Sequence, residues 1–214
     1  MNIKFERDTL LGQLKSNSRV AVSKLRTIAR NWVRENKEID SKTFIELLDL
    51  LYSGPSREEK VLASMIVGLF PTHLVTLKEA RLDLWLGQLA GWEEVDSVCD
   101  EIDIWFRADQ KRREHLLRVW NRHSQIEKRR ASLVVLCSSV SKDSSVYLAD
   151  LSFECIDILK GETHAMITKA ISWLLRSLIK YHKNEVEKYL KQNAATLPKI
   201  AVREVARKLE TGKK

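Results

Sequence analysis

The chain has 214 residues, and its 37 lysines and arginines exceed its 29 aspartates and glutamates, which gives a formal net charge of +8. Hydrophobic residues make up 44% of the chain and charged residues 31%, a balance that excludes a disordered protein. Seven glycines and three prolines are too few for the tight turns of a β-sandwich or barrel, and no apolar run approaches the ~18 residues of a membrane span.

The three cysteines, Cys99, Cys137 and Cys155, are widely spaced and odd in number. Such cysteines are typical of small buried side chains in a reducing compartment, and they do not form a disulfide framework. The N-terminus is charged early, which excludes a secretory signal. We therefore expect a basic cytoplasmic protein that is not embedded in a membrane.

Apolar residues recur at helical spacing along the chain. The first segment, Phe44 to Leu51, follows Ser41, a residue type that caps helix N-termini. The second, Val61 to Leu69, is introduced by Gly54-Pro55-Ser56 and stopped by Pro71. Eight further segments follow at short intervals: 74–89, 95–106, 116–120, 131–140, 146–159, 165–179, 186–190 and 198–209.

Short helices in succession, without a heptad pattern or a break in composition, predict stacked helical hairpins. The fold expected is all-α, a curved solenoid of HEAT-like hairpins (an α–α superhelix), formed as a single domain over residues 1–214. At ~40–47 residues per hairpin, the chain holds about five repeats. The alternative is an irregular helical bundle.

Charge is unevenly distributed along the chain. Residues 107–142 hold ten Lys and Arg against three Asp and Glu, and residues 161–214 hold twelve against five, so each block carries +7. Residues 76–106 hold two against eight and carry −6. Basic blocks of this size favour a polyanionic partner, with nucleic acid the commonest, although lysines and arginines that only solvate outer helix faces would produce the same pattern.

The spacing of four residues indicates a common site. Trp92 and Asp96 are four residues apart and share one face of a helix. Arg130 follows Asp96 by 34 residues, and Trp173 follows Arg130 by 43, close to one repeat length each time. Residues one repeat apart occupy equivalent places on successive hairpins, so we expect all four to project into one concave groove.

Three stretches make the sequence resemble the AlkC/AlkD-like DNA alkylation repair proteins, which are HEAT-repeat DNA glycosylases. Residues 91–97 (GWEEVDS) are similar to the family's Trp-x-x-Val-Asp segment, and residues 128–133 (KRRASL) are similar to its Arg followed by two small residues and an aliphatic one. The most specific stretch is residues 169–176 (KAISWLLR), which continues to residues 203–206 (REVA). The resemblance covers roughly residues 41–212.

The resemblance implies hydrolysis of the N-glycosidic bond of cationic N3- or N7-alkylated purines in duplex DNA, without turning the damaged base out of the helix. Asp96 is then the catalytic carboxylate, with Trp92 and Trp173 beside the deoxyribose of the lesion. Arg130 is assigned to the DNA backbone, with Arg129 as its rival in the motif. We expect a monofunctional enzyme that acts as a monomer on alkylated double-stranded DNA.

Other basic and aromatic residues are assigned more simply. Lys169 and Arg176 lie on the same helix as Trp173 and are candidate DNA contacts, although Arg176 also suits an ion pair with a carboxylate. The remaining tryptophans are expected to pack in the core: Trp32, Trp85, Trp105 and Trp120. No histidine or cysteine spacing fits a metal site, and no glycine-rich loop fits a nucleotide, so we expect no metal and no cofactor.

The chain also departs from the family pattern. No tyrosine precedes Tyr52, whereas characterised members carry an N-terminal tyrosine that lines the DNA groove, and Ala165 and Met166 replace a pair of phenylalanines of some relatives. These losses leave two alternatives to an enzyme. One is a non-catalytic HEAT-repeat module that binds distorted or branched DNA, and the other is a helical scaffold for another protein.

Overall fold

The computed structural model describes residues 2–14 and 19–213, so the domain predicted over 1–214 includes residues 1, 15–18 and 214, which lie outside the described residues. Over the described residues the chain forms fourteen α-helices and no strand, which confirms the all-α prediction. The helices are α1 (Ile3–Gly12), α2 (Val22–Glu35), α3 (Ser41–Tyr52), α4 (Arg57–Leu69), α5 (Pro71–Leu74), α6 (Glu79–Leu86), α7 (Trp92–Glu101), α8 (Asp103–Ala108), α9 (Gln110–Asn121), α10 (Ile126–Lys142), α11 (Val146–Leu159), α12 (Ala165–Leu178), α13 (Lys183–Asn193) and α14 (Lys199–Thr211).

The chain divides into two compact units, Met1–Trp105 and Phe106–Lys214. In the first unit, α4 is central and packs against α2, α3 and α7. Its N-terminus is closed by a capping box, in which the Ser56 hydroxyl accepts from the Glu59 amide and the Glu59 carboxylate accepts from the Ser56 amide. The capping box stabilises the first turn of α4, the helix on which α7 packs.

In the second unit, α10 packs against α9, α11 and α12, and α12 packs in turn against α14. The helices α10, α12 and α14 begin at Ile126, Ala165 and Lys199, which are roughly one repeat apart. Regular succession of helices at this interval is the pattern expected of helical hairpins.

Several helix boundaries differ from the sequence-based prediction, and the segment 95–106, predicted as one helix, is divided between α7 and α8. Asp40, rather than Ser41, caps α3, because its Oδ1 accepts hydrogen bonds from the amides of Lys42 and Thr43 at 3.0 Å each. The segment 74–89, predicted as one helix, is divided between α5 and α6. The carbonyl of Leu77, which a continuous helix would use internally, instead accepts from Trp105 Nε1 at 2.9 Å.

The predicted core residues are buried. The four tryptophans assigned to packing are each at most 4% exposed, namely Trp32, Trp85, Trp105 and Trp120. The three cysteines are buried, as predicted, and none of them forms a disulfide. Burial raises the pKa of Cys155 to about 12, so this thiol remains protonated at neutral pH.

Among the described residues, none of the helices combines the length and the apolarity that crossing a membrane requires.

Candidate functional site

The candidate site is built on the first two turns of α7. Gly91 precedes this helix with φ of +97°, a backbone conformation that favours glycine, so the chain turns sharply and helix begins at Trp92. No side chain caps the N-terminus at Gly91. Instead, Glu94 Oε2 accepts from the amide of Ala90 at 2.6 Å, which reaches back over the turn.

Trp92 and Asp96 line a common cavity of ≈ 150 Å³ with residues of α2 and α4. The side chain of Trp92 is 55% exposed, whereas the four core tryptophans are buried. Tryptophan is highly buried on average, so an indole this exposed is unusual and contributes little to the core. The prediction that Trp92 and Asp96 lie together is confirmed.

Carboxylates outnumber cations around this cavity. The four carboxylates are Glu93, Asp96, Asp100 and Glu101, and the two guanidinium groups are Arg26 and Arg57. Trp92, Asp96 and Asp100 follow one another at four-residue intervals and therefore form one stripe along α7. A cavity with this surplus of negative charge attracts a cationic ligand or a cationic transition state.

Ion pairs fasten the N-terminal turn of α7 to α4. Arg57 Nε donates to Glu93 Oε2 at 2.7 Å, and Arg57 Nη1 donates to Glu58 Oε1 at 3.1 Å. One residue further along α7, Glu94 Oε2 lies 3.5 Å from Lys60 Nζ, and Arg19 also pairs with Glu93. Trp92 is thus placed by charged contacts on its two following residues.

A second contact fastens the C-terminal end of α7. Arg26 Nη2 of α2 donates to Glu101 Oε1 at 2.9 Å. Burial raises the pKa of Glu101, and the nearby Arg26 lowers it as a smaller effect. Gly68 of α4 makes room for this carboxylate, because a Cβ atom at position 68 would lie 2.7 Å from Cβ of Glu101.

In the second unit, the two candidate phosphate-binding arginines are both engaged with the protein. Arg130 is 4% exposed, and its Nη1 donates to the carbonyl of Met166 at 2.5 Å. Arg129 Nε donates to Glu162 Oε1 at 2.7 Å, and its Nη1 donates to two backbone carbonyls. Arg129 is therefore held as a structural bridge, and a phosphate contact by either arginine stays a prediction.

The three candidate residues of α12 lie in different environments. Trp173 is half-buried, and Lys169 is exposed. Arg176 Nε donates to the carbonyl of Ser172 at 3.1 Å, and its Nη2 lies 3.4 Å from Glu204 Oε2. Of the two partners that the sequence left open for Arg176, the structure supplies the carboxylate. The DNA contacts of these residues, and a groove common to all the candidate residues, stay predictions.

A larger cavity of ≈ 410 Å³ lies beside α3 and contains none of the predicted site residues. Two carboxylates line it, Glu46 and Asp49, and Asp49 accepts hydrogen bonds from Arg81 Nη1 at 2.8 Å and from Trp85 Nε1 at 2.7 Å. We locate the site at the smaller cavity because the predicted residues Trp92 and Asp96 both line it, and because the indole of Trp92 is exposed there. Within residues 2–14 and 19–213, no group of three or more His, Cys, Asp or Glu side chains is arranged to hold a metal ion.

Sequence reasoning missed Arg26 and Arg57 as parts of the site. Their partners lie 75 and 36 residues away, so no local pattern pointed to them. The acidic residues that surround Asp96 were the available signal, because partly buried carboxylates require cationic neighbours.

Comparison with known proteins identifies the family. The family described as "DNA alkylation repair enzyme" matches residues 19–209, which is most of the chain and crosses both units. The chain belongs to the DNA alkylation repair enzyme family. Among curated protein sequences, none matches this chain significantly.

Solved structures share the fold of this DNA alkylation repair protein at low sequence identity. A predicted DNA alkylation repair enzyme from Enterococcus faecalis is 17% identical, with a TM-score of 0.76 over 90% of this chain and 87% of that chain. AlkD2 from Streptococcus mutans is 15% identical, with a TM-score of 0.71 over 98% of each chain. The protein smu.31 from Streptococcus mutans UA159 is 15% identical, with a TM-score of 0.66 over 100% of this chain and 98% of that chain. These similarities confirm the helical-repeat fold.

Proposed function

We propose that this DNA alkylation repair protein is a monofunctional DNA glycosylase, which hydrolyses the N-glycosidic bond of cationic N3- or N7-alkylated purines in duplex DNA without base flipping. The observation that carries the proposal is the exposed indole of Trp92 beside Asp96, in a cavity where carboxylates outnumber cations. We also infer a monomer, and we infer that it acts in the cytoplasm, in keeping with three cysteines that are not in disulfides.

The chemistry of the lesion requires little from the enzyme at the leaving group. When the bond between C1′ and the purine nitrogen breaks, its electron pair neutralises the positive charge of the base, so no general acid is needed. The sugar becomes oxocarbenium-like, as in glycoside hydrolysis. A carboxylate beside C1′ stabilises that charge, and this is the role we assign to Asp96.

Water completes the reaction. Asp96 orients a water molecule toward C1′ and accepts its proton as the new C–O bond forms, after which the proton passes to solvent. The indole face of Trp92 attracts the cationic sugar by roughly 0.5–2 kcal/mol, depending on desolvation. No lysine nucleophile takes part, so we expect neither a Schiff base nor strand cleavage.

The sequence resemblance supports further assignments in the second unit. Trp173 is assigned to the deoxyribose and Arg130 to a phosphate, which would replace the Met166 carbonyl as partner of its guanidinium. Lys169, Arg129 and Arg176 are proposed as weaker backbone contacts, because the latter two already pair with Glu162 and Glu204.

The decisive experiment is single-turnover excision of 7-methylguanine from a duplex by the purified protein. We expect release of the base faster than spontaneous depurination, with an intact strand until alkali is added. Salt-dependent DNA binding without excision would instead establish the non-catalytic DNA-binding module. A protein that neither excises nor binds DNA in a salt-dependent way would be the scaffold.

A further inference from the structure

A row of exposed basic side chains runs along α9, and the proposed function does not use it. Lys111, His115 and Arg118 lie in α9, and Arg122 directly follows its last residue. They are spaced at intervals of four, three and four residues, so Arg122 continues the face that the other three share. All four are exposed. We call this set the α9 basic face.

The opposite face of α9 is packed into the second unit. Leu116, Leu117 and Trp120 are buried there, and the helix packs against α10 and α11. At 100° per residue, these three positions lie roughly opposite the basic face. The α9 basic face therefore points away from α10, the helix that carries Arg130.

Little acidic charge on α9 offsets this face. Glu114 is the only acidic residue within the helix, and its Oε2 lies 3.8 Å from Nη2 of Arg118, a side chain that is 74% exposed. Exposed pairs of this kind contribute little, because solvent screens them. Glu114 also accepts hydrogen bonds from Tyr147 Oη at 2.7 Å and Gln110 Nε2 at 3.0 Å, so Arg118 is one of three groups that contact its carboxylate.

The chemistry of the face favours a phosphate backbone over a protein. Protein interfaces depend on buried aromatic or aliphatic anchors at their centre. On α9, the one large hydrophobic side chain that is exposed is Val119, at 42%. A face with cations and no apolar anchor matches the binding of nucleic acid by its phosphates, which is electrostatic and independent of sequence.

We propose that the α9 basic face binds the phosphate backbone of duplex DNA, along a stretch other than the one assigned to Arg130. The eleven residue steps from Lys111 to Arg122 rise roughly 16 Å, a length over which duplex DNA carries about ten phosphate charges. This inference rests on the proposed function in that it takes DNA as the partner. It adds a sequence-independent contact that holds undamaged DNA while the protein moves along it.

The test compares two variants that each lose three positive charges from exposed positions. One carries Lys111→Gln, Arg118→Gln and Arg122→Gln, and the matched control carries Lys183→Gln, Lys188→Gln and Lys191→Gln on α13. Affinity for a long undamaged duplex is measured between 50 and 200 mM salt. If all three α9 cations contact phosphates, the log–log salt slope becomes shallower by about 2.7, which is a roughly 40-fold smaller loss of affinity over that range.

Two further measurements make the result specific. A variant with Arg118→Lys and Arg122→Lys keeps both charges, and we expect it to keep the wild-type slope. Circular dichroism checks that the glutamine variants fold. The proposal is overturned if the α9 variant keeps the wild-type slope, or if the α13 control loses as much as the α9 variant does.

The outcome is separable from that of the proposed function. Binding to undamaged DNA needs no excision, so the salt slopes are interpretable even if the wild-type protein never releases a base. If it does release one, single-turnover excision at saturating protein should be unchanged by the α9 substitutions, because the face lies on another helix from the assigned site residues.

Discussion

Arg57 and Glu93 tie the start of α7 to the start of α4, with Arg57 Nε 2.7 Å from Glu93 Oε2. Glu93 directly follows Trp92, and both Arg57 and Glu93 line the cavity that contains Asp96. Because α7 has no side-chain cap, this pair is one of the contacts that determine where the exposed indole lies. Its loss should therefore affect the site as well as stability.

We expect Arg57→Gln and Glu93→Gln each to lower the free energy of unfolding by about 0.5–1.5 kcal/mol, because each removes one hydrogen bond between partly buried charged groups. Glu93 keeps its contact with Arg19, and Arg57 keeps its contact with Glu58. The double variant should lose less than the sum, with a coupling energy of about 0.5–3 kcal/mol. Chemical denaturation measures all three. Lys42→Gln, which breaks a 3.9 Å pair with Glu46 at the surface, is the control and should change stability by less than about 0.5 kcal/mol. Strict additivity of the Arg57 and Glu93 effects would contradict the coupling.

Asp96→Asn should slow excision of 7-methylguanine by about 10²–10³-fold, the scale of losing one electrostatic contact to a transition state. The fold and most of the DNA affinity should persist, since asparagine keeps the shape of the side chain. Single-turnover kinetics separate this effect from product release. Asp100→Asn, one turn further along the same stripe, removes the same charge from the cavity lining, and it should slow excision much less than Asp96→Asn because only Asp96 is assigned a place beside C1′. Excision by Asp96→Asn at the wild-type rate would exclude a catalytic role for this carboxylate.

Trp92→Ala should slow excision by roughly 2- to 30-fold, which corresponds to a cation–π contribution of ~0.5–2 kcal/mol. Because the indole is half-exposed, thermal unfolding should change little. Trp85→Ala is the contrasting variant, because the loss of that fully buried side chain should lower the free energy of unfolding by about 3–5 kcal/mol. Trp173→Ala should also slow excision less than Asp96→Asn does. A large stability loss in Trp92→Ala would mean that the residue serves packing.

Gly68→Ala should destabilise the protein, although alanine normally stabilises a helix by roughly 0.5–1 kcal/mol relative to glycine. The added Cβ would lie 2.7 Å from Cβ of Glu101, which must then shift and release Arg26. Gly161→Ala is the control, because nothing lies within 4 Å of its added Cβ. Thermal unfolding compares the two variants. Equal melting temperatures for the two variants would show that α4 and α7 accommodate the added Cβ with no loss of stability.

Glu101 should make stability depend on pH in the range just above the ordinary pKa of a glutamate, because burial raises its pKa in the folded protein. The folded state then binds more protons than the unfolded state within that window, so this residue's contribution to stability falls as pH rises through it. Denaturation of the wild type and of Glu101→Gln across this range measures the difference between them. The stability of the wild type relative to Glu101→Gln should fall as pH rises. A rise in this relative stability would show that the Arg26 pair outweighs burial.

The helical class and most of the core followed from local pattern. Apolar residues at helical spacing predicted the helices, and the range 146–159 agrees with α11 (Val146–Leu159) at both ends. Asp40 was missed as a cap because two adjacent residues, Asp40 and Ser41, both have capping side chains. The division between α5 and α6 was missed because it depends on Trp105, which contacts the Leu77 carbonyl from 28 residues away.

For the site, the sequence alone determined that Trp92 and Asp96 share a helical face, because a separation of four residues brings side chains together on any α-helix. The family resemblance pointed to the same pair. Tertiary structure alone decided which indoles are exposed, since exposure depends on whether a neighbouring helix covers a position. It also decided that Arg57 and Arg26 hold the carboxylates of α7, and that Arg129 is bound to Glu162. Ion pairs across 33 to 75 residues leave no local pattern, because they form only when helix packing brings the opposite charges together.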